Sequence, residues 1–207
     1  MPSPPARAGE VRIIGGIWRG TRLPAPAVAG LRPTPDRVRE TLFNWLQPVL
    51  PGARVLDLFA GSGALGLEAL SRGAREALLV EADPQAAQAL RQSVEKLHAQ
   101  AAAHVVRADA VAWLRAPLFG RFDVVFLDPP FAADLWRPVL AALAPWLASQ
   151  AWLYLESPVN AAVEPGENWL PHRAGSTRET RYALYRRMPE AAATLRHNPV
   201  PPSPSST

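Results

Sequence analysis

The chain has 207 residues, of which 48% are hydrophobic and 19% charged, and its formal net charge is +4. That length suits one domain with short appendages and is enough to bury a full core. The absence of cysteine excludes disulfides, thiolate metal sites and cysteine nucleophiles. The histidines lack metal-ligand spacing, and neither a membrane-spanning run nor a secretion signal stands out. We therefore expect a cytoplasmic protein that binds no metal and no membrane.

Basic residues are unevenly placed along the chain. Lys96 is the only lysine, so the other basic residues are all arginines. Residues 1–50 carry a net charge of +4 and residues 157–207 a net charge of +2, whereas residues 51–156 carry −2. Basic flanks around an acidic middle indicate an anionic partner that contacts the flanks.

The first fifty residues predict an extension in front of the main domain. Proline-rich residues 1–10 are expected to form a disordered tail. Val11–Leu23 is typical of a short β-hairpin, and a helix should follow with Thr34 as its N-cap. Residues 11–50 are therefore assigned to a hairpin and helix extension.

From Arg54 onward, short apolar runs alternate with helical stretches. The runs contain few polar residues, as strands covered on both faces should. The predicted strands are Val55–Phe59, Ala77–Val80, His104–Val106, Phe122–Leu127 and Trp152–Leu155. The predicted helices cover Ala64–Arg72, the segment that begins at Asp83, and Leu135–Leu147. This alternation predicts βαβ units and a parallel sheet.

The pattern closes with two strand-like segments, Trp169–Ala174 and Thr180–Arg187. They predict an antiparallel hairpin that turns at Gly175-Ser176. The main domain is therefore expected to span residues 51–188. A second proline-rich tail, expected to be disordered, covers residues 189–207.

A glycine-rich loop follows the first strand of the predicted sheet. Gly61, Gly63 and Gly66 match G-x-G-x-x-G between a strand and a helix. With Glu81 at the end of the next strand, this pattern alone is typical of a dinucleotide site. Asp57 argues against bound phosphates, because its carboxylate would repel them and would attract an ammonium group instead. We therefore expect S-adenosylmethionine (AdoMet), which carries an ammonium group, a sulfonium and no phosphate.

Acidic side chains at the ends of consecutive strands should complete the AdoMet site. Glu81 is suited to accept from both ribose hydroxyls, and Asp109 from the adenine amine. The carboxyl ends of parallel strands meet at one sheet edge, where ligands bind in open α/β folds. The residues expected to contact the cofactor are Asp57, Phe59, Ala60, Gly61, Ser62, Gly63, Glu81, Ala82, Asp109, Ala110, Arg32 and Thr34.

The fourth predicted strand runs into Asp128-Pro129-Pro130-Phe131, which is the expected catalytic segment. Consecutive prolines cannot continue a central strand, so the chain must turn there. The Asp128 side chain and the Pro129 carbonyl could both accept hydrogen bonds from one exocyclic amine, while Phe131 stacks on a flat base. Two such acceptors favour the pyramidal nitrogen that attack on a sulfonium methyl group requires, with in-line positioning.

These motifs resemble the class I AdoMet-dependent amino-methyltransferases. Within them, the chain is similar to the RsmD family of bacterial 16S rRNA guanine-N2 methyltransferases, over about Arg12 to Arg187. The glycine loop is shared by all such enzymes. The segments that narrow the choice are Arg12-Ile-Ile-Gly-Gly16, Trp18-Arg-Gly-Thr-Arg22 and Leu31-Arg-Pro-Thr34.

The resemblance implies a Rossmann-like α/β fold with a seven-stranded sheet, helices on both faces and the N-terminal extension. It implies methylation of the N2 amine of one guanine in 16S rRNA, with S-adenosylhomocysteine as the other product. The substrate is expected within an assembled or assembling small ribosomal subunit, and the protein is expected to be a monomer. The family tends to carry lysines where the hairpins of this chain have arginines or neutral residues.

Three other functions remain open from the residues alone. The same fold could methylate adenine-N6 of DNA or a glutamine amide of a protein. The glycine motif could instead belong to a nicotinamide-dependent oxidoreductase. The chain could also be an RNA-binding assembly factor without catalysis.

Residues in the two basic flanks are expected to contact RNA. Arginines would bind phosphates, and Trp18 would stack on a nucleotide. The residues assigned to this surface are Arg12, Trp18, Arg19, Arg22, Arg37, Arg178 and Arg181.

Overall fold

The computed structural model describes residues 9–25, 34–116, 120–161 and 163–188. The expected tail at residues 189–207 and residues 1–8 of the first expected tail lie outside these ranges. Strand β1 begins at Gly9, inside the range that the sequence assigned to the first tail.

The described chain contains an N-terminal hairpin, five α-helices and a larger sheet. The strands are β1 (Gly9–Arg12), β2 (Arg22–Ala25), β3 (Arg54–Asp57), β4 (Glu76–Glu81), β5 (Ala103–Arg107), β6 (Phe122–Leu127), β7 (Leu147–Pro158), β8 (Trp169–Ser176) and β9 (Thr180–Arg187). The helices are α1 (Asp36–Leu46), α2 (Gly66–Ser71), α3 (Pro84–Lys96), α4 (Ala110–Leu114) and α5 (Trp136–Leu143). None of these helices has the length and apolar character that crossing a bilayer requires.

The larger sheet has seven strands in the order β5-β4-β3-β6-β7-β9-β8. The first five are parallel, whereas β9 pairs antiparallel with both β7 and β8. This arrangement confirms the predicted α/β fold and its closing hairpin. Because the parallel strands point the same way, all their carboxyl ends meet at one edge, which we call the carboxyl edge.

Helices cover both faces of this sheet. One core cluster contains Leu42 of α1, Leu67 of α2 and Leu90 of α3 against Val55 and Leu79 of the sheet. A second cluster lies on the opposite face, beneath α4 and α5. The apolar runs of β3, β4 and β6 are therefore buried on both faces of the sheet, whereas β5 at its edge is only partly buried.

Several predicted boundaries differ from the structure, and the strand predicted over Trp152–Leu155 spans Leu147–Pro158. The helix expected over Leu135–Leu147 ends at Leu143, and a 3₁₀ helix with a proline near its start leads into β7. Gly175-Ser176 is not the turn, because β8 continues through both residues and the chain turns over residues 177–179. Thr177 stabilises that turn, since its hydroxyl accepts from the Thr180 backbone N–H at 3.0 Å.

The N-terminal hairpin packs against α2 through polar contacts at its tip. The Ile14 backbone N–H donates to Glu68 Oε2 at 2.8 Å, and Ser71 Oγ donates to the Gly15 carbonyl at 2.6 Å. The backbone N–H of Trp18 donates to the same Ser71 Oγ at 3.0 Å. The antiparallel pairing of β1 with β2 confirms the predicted hairpin, and these contacts fix its tip to the helix that follows the glycine loop.

A buried arginine also stabilises the contact between the N-terminal extension and α2. Arg39 of α1 is 1% exposed and donates to the Arg12 carbonyl at 2.8 Å and to Asp36 at 2.6 Å. Its guanidinium also lies 3.8 Å from the fully buried Glu68 carboxylate, which accepts from Arg72 Nε at 2.7 Å. The extension and α2 therefore share one buried charge cluster, and removal of one partner would leave an uncompensated buried charge.

Gly16 lies where the hairpin backbone approaches α2 most closely. Its φ is +75°, and a Cβ atom there would lie 1.7 Å from the Ser71 carbonyl oxygen. Gly20, in the same hairpin, has a φ of +88° but no atom within 4 Å of a Cβ position. Alanine substitutions at these two positions can therefore separate the cost of the backbone conformation from the cost of the steric clash.

Gly16→Ala is expected to lower the free energy of unfolding by about 3 kcal/mol or more, because it adds a steric clash to an unfavourable φ. Gly20→Ala is the matched control and should cost only about 1 kcal/mol, from φ alone. Urea unfolding of the two variants measures both values. Equal losses would contradict the close contact between the hairpin and α2.

Candidate active site

Five carboxyl groups lie at the ends of five adjacent parallel strands. Along the carboxyl edge they are Asp109 after β5, Glu81 at the end of β4, Asp57 at the end of β3, Asp128 after β6 and Glu156 near the end of β7. Four of them are residues that the sequence assigned to the site. The structure brings these four to one edge and adds Glu156.

Asp57 is buried at the start of the glycine loop, with an exposure of 3%. Its Oδ2 accepts from the backbone N–H of Gly66, the first residue of α2, at 3.0 Å. Burial raises the pKa of Asp57 to about 7, the Gly66 and Phe59 backbone N–H groups lower it, and the charge of Glu81 raises it further. A second anion beside this carboxylate would be unfavourable, whereas a cation would stabilise its charged form.

Glu81 fixes the shape of the glycine loop. Its Oε2 accepts from the Gly61 backbone N–H, and its Oε1 from the Asp83 backbone N–H, each at 2.8 Å. Gly61 and Gly63 have φ values of +53° and +80°, which side chains rarely adopt. A Cβ on Gly63 would also lie 2.6 Å from Leu67 and Leu90 side-chain atoms. These glycines are therefore needed for the local backbone as well as for ligand access.

Asp83 and Asp109 each cap the helix that follows them. Asp83 accepts from the Gln85 and Ala86 backbone N–H groups at 2.8 and 2.9 Å, and Asp109 accepts from the Ala112 N–H at 2.8 Å. Asp83 caps α3 as the sequence predicted. For Asp109, capping α4 fixes one carboxylate oxygen at the carboxyl edge.

The other residues expected to contact the cofactor lie in the same loops. Phe59 is half-buried against the second core cluster, whereas Ser62 is 4% exposed. Ala60 donates its backbone N–H to the Val80 carbonyl at 2.9 Å and thereby joins the loop to β4. Ala82 is exposed after β4, and Ala110 is the buried first residue of α4. Arg32 lies outside the described residues.

Asp128-Pro129-Pro130-Phe131 leaves β6 at the centre of the carboxyl edge. Asp128 is half-buried, Pro129 is buried and Pro130 is exposed. The half-buried Phe131 begins a 3₁₀ helix, and its ring lies 5.9 Å from the ring of Trp136. The segment therefore turns as predicted, and Trp136 supports the phenylalanine from below the turn.

Thr34 is not the N-cap of α1, because Pro35 occupies that position and no side-chain capping bond forms. Its hydroxyl lies instead 3.3 Å from Asp128 Oδ2 and 3.1 Å from Glu156 Oε1. The half-buried Asp128 and the buried Glu156 thus share this one hydroxyl, which leaves it unavailable for capping α1. The extension thereby reaches the catalytic segment directly.

Glu156 completes the site and was missed by the sequence analysis. It is 5% exposed, and its Oε1 also accepts from the Tyr154 hydroxyl at 2.5 Å. Burial raises its pKa, while the hydrogen bonds from Tyr154 and Thr34 lower it. The available signal was a carboxyl directly after the apolar run that ends at Leu155, the same placement that Asp128 has after Leu127.

The pKa of the Asp128 carboxyl is raised as well. Burial, followed by the negative charges of Glu156 and Asp57, raises its pKa well above the ordinary value of 3.8, and the hydrogen bond from Thr34 lowers it. Strongly perturbed carboxyls at a sheet edge are typical of functional sites.

The expected RNA-contacting residues occupy two places. Arg178 is exposed in the β8–β9 turn, which reaches the carboxyl edge because Thr180 pairs with Pro158 at the end of β7. Arg181, nearby, pairs with Glu164 at 3.0 Å.

The remaining residues of that set lie in the extension. Arg12 pairs with Asp36 at 3.3 Å, and Arg22 pairs with Glu10 at 3.1 Å. Arg19 and Arg37 are exposed, whereas Trp18 is half-buried and packs against the first core cluster.

Comparisons with known proteins place this arrangement in a family. The family model described as Conserved hypothetical protein 95 matches residues 11–186. Ribosomal RNA small subunit methyltransferase D of Escherichia coli (strain K12) is 48% identical over 183 residues, which cover 87% of this chain and 91% of that protein. The solved structure of yhhF from Escherichia coli has a TM-score of 0.79 and 47% identity, covering 88% of this chain and all of the other.

A more distant solved structure has the same fold. The RsmC 16S rRNA N2-methyltransferase of Thermus thermophilus is 23% identical, with a TM-score of 0.68. The match covers 90% of this chain and 52% of that one. The predicted class I methyltransferase fold is therefore confirmed.

Asp57 should give the folded protein a specific pH dependence. Because its pKa is about 7 when folded and 3.8 ordinarily, the folded state binds more protons between these values. The stability that Asp57 contributes is therefore complete below its ordinary pKa of 3.8 and is lost as the pH rises through about 7.

Between about pH 5 and pH 8.5, the free energy of unfolding should fall by roughly 2 kcal/mol more in the wild type than in Asp57→Asn. The asparagine keeps an acceptor for the Gly66 N–H but cannot ionise, so it isolates the charge. Urea unfolding across this range measures the difference. Parallel curves for the two proteins would show that Asp57 is not the titrating group.

Proposed function

The chain belongs to the family described as Conserved hypothetical protein 95, and we propose that it transfers a methyl group from AdoMet to the N2 amine of a guanine in 16S rRNA. The observation that carries this proposal is the position of Asp128, Pro129 and Pro130 beside the glycine loop at one sheet edge. The relative from Escherichia coli, whose name states small-subunit rRNA methylation, supports the substrate class.

The loop residues fit AdoMet better than a phosphate-bearing cofactor. Asp57 is buried at the beginning of α2, where a pyrophosphate would otherwise bind. Its carboxylate would hold the ammonium group, and Glu81 would accept from the ribose hydroxyls. Asp109 would accept from the adenine amine. AdoMet supplies an electrophilic methyl group on a sulfonium, and no metal has a role in this scheme.

The catalytic segment would bind and orient the amine. Asp128 accepts one hydrogen of the exocyclic NH₂, and the Pro129 carbonyl accepts the other. The nitrogen lone pair then points at the methyl group instead of remaining in the aromatic system. Phe131 stacks on the base and, with Trp136 behind it, holds the ring plane. Positioning of this kind can account for most of the rate of such a transfer.

The RNA would lie over the carboxyl edge, with the β8–β9 turn at one side of Asp128. Arg178 and Arg181 there, with Arg12, Arg19, Arg22 and Arg37 of the extension, would contact phosphates. We propose a monomer that acts in the cytoplasm on an assembled or assembling small ribosomal subunit. The domain division at residues 50 and 51 stays a proposal, since the two parts share one core cluster.

Methyl transfer from labelled AdoMet to small ribosomal subunits from cells that lack this protein tests the proposal. Naked 16S rRNA, duplex DNA and a protein glutamine substrate are assayed in parallel. N2-methylguanosine from a single rRNA site is the expected product. Label in adenine-N6 of DNA or in a glutamine amide, with none in rRNA, would contradict the proposed substrate.

Asp128→Ala should lower the rate of this transfer by about a hundredfold or more, because the amine loses its charged acceptor. The affinity for AdoMet, measured by calorimetry, should change less than about threefold, since Asp128 is not expected to bind the cofactor. Asp123→Ala serves as the control at the opposite end of β6, where that carboxylate accepts from the Arg54 backbone N–H at 2.9 Å. A wild-type rate in Asp128→Ala would remove the catalytic role.

Arg178→Ala should weaken binding of the small subunit and make the slope of log affinity against log salt shallower by about 1, because one phosphate contact is lost. Arg75→Ala is the control, since Arg75 is exposed next to β4 at the opposite sheet edge. Filter binding over a salt series gives both slopes. An unchanged slope in Arg178→Ala would show that this arginine does not contact an RNA phosphate.

A further inference from the structure

A continuous hydrogen-bonded chain leads away from the catalytic carboxyl. Asp128 Oδ2 lies 3.3 Å from Thr34 Oγ1, and Thr34 Oγ1 lies 3.1 Å from Glu156 Oε1. The Tyr154 hydroxyl then donates to Glu156 at 2.5 Å. The chain joins the extension, the catalytic segment and β7.

The proton count of this chain is restrictive. Thr34 has one hydroxyl proton, so it can donate to only one of the two carboxyls at a time. Its oxygen can accept from the other carboxyl only if that carboxyl carries a proton. A single proton shared by Asp128 and Glu156 therefore satisfies both contacts of Thr34, whereas two carboxylates leave one contact without a hydrogen.

The surroundings favour such sharing. The charge of Asp57 acts on Asp128 from β3, the Tyr154 hydroxyl contacts Glu156 within β7, and Tyr182 of β9 lies opposite Glu156 in the strand register. The charge of Glu156 makes Asp128 harder to ionise, and the hydrogen bond from Thr34 makes it easier. Two close buried carboxyls of this kind do not ionise independently.

We propose that Asp128, Thr34 and Glu156 act together as the proton acceptor of the reaction, with Thr34 passing the proton from Asp128 to Glu156. This inference rests on the proposed amine methylation. Thr34 and Glu156 are positioning residues in it, because they act through Asp128 and do not touch the substrate.

The methyl transfer conserves charge and atoms. The substrate nitrogen bonds to the methyl carbon as the carbon–sulfur bond breaks, and that electron pair stays on sulfur. In the reactive form both carboxyls are ionised, so the nitrogen gives one proton to Asp128, which donates it to Thr34 Oγ1 while the Thr34 proton moves to Glu156 Oε1. One proton shared by two carboxyls thus replaces the positive charge lost at sulfur. The proton leaves to water after the products dissociate.

Three variants test this proposal through the pH dependence of single-turnover methyl transfer to small subunits. Thr34→Val keeps the side-chain shape but removes the donor to Asp128, so the acid limb should move to higher pH. Glu156→Gln removes the neighbouring anion, so the acid limb should move to lower pH. Both should lower the plateau rate by about tenfold or more, and in Glu156→Gln the AdoMet affinity should stay within about threefold of wild type. Thr34→Ser restores the hydroxyl and should return the limb to its wild-type position.

A second measurement needs no substrate. The C=O stretch of protonated carboxyls is titrated by infrared difference spectroscopy in the free wild-type protein, Thr34→Val and Glu156→Gln. Opposite shifts of the Asp128 band in the two variants support the shared proton, and coincident titrations overturn it. If the wild-type protein transferred no methyl group to small subunits, the proposed function would be overturned. The infrared result would still decide whether the two carboxyls share a proton. Thermal unfolding excludes global misfolding of each variant.

Discussion

The carboxyl edge concentrates negative charge, and the rest of the site depends on how that charge is held. Five adjacent parallel strands each deliver one carboxyl group to this edge. Asp57, Glu81 and Asp109 accept hydrogen bonds from backbone N–H groups of the loops and helices at this edge. Asp128 and Glu156 rely on side-chain hydroxyls instead. The first three are therefore fixed by the fold, whereas the last two can exchange a proton through Thr34.

The N-terminal extension is part of this site as much as of the scaffold. Its hairpin is fixed to Glu68 and Ser71 of α2, the helix that follows the glycine loop. Val11 and Ala25 of the hairpin pack against Ala64 inside that loop. Further along the chain, Thr34 contacts Asp128. The extension thus contacts both the glycine loop and the first residue of the Asp128–Phe131 segment, so it can influence each directly.

Sequence reasoning succeeded where a local pattern has one physical meaning. A carboxyl after an apolar strand, a glycine pattern before a helix and a double proline after a strand each dictate a place at the carboxyl edge. It failed where long-range contacts decide. Thr34 has the features of an N-cap, but two carboxyls distant in sequence bind its hydroxyl. Glu156 was overlooked because no sequence motif connects it to Asp128, to which it is joined only through the distant Thr34. Glycine is required at position 16 because the backbone there packs against Ser71 of α2, which is distant in sequence.

The central claim is that this edge selects a cationic ligand over a phosphate-bearing one. Calorimetric titration of the full chain with AdoMet and with NAD, at about pH 8 so that Asp57 is ionised, tests it most directly. The account predicts saturable binding of AdoMet, weakened by about tenfold or more in Asp57→Ala, and no measurable binding of NAD. Tight binding of NAD together with no binding of AdoMet would contradict it.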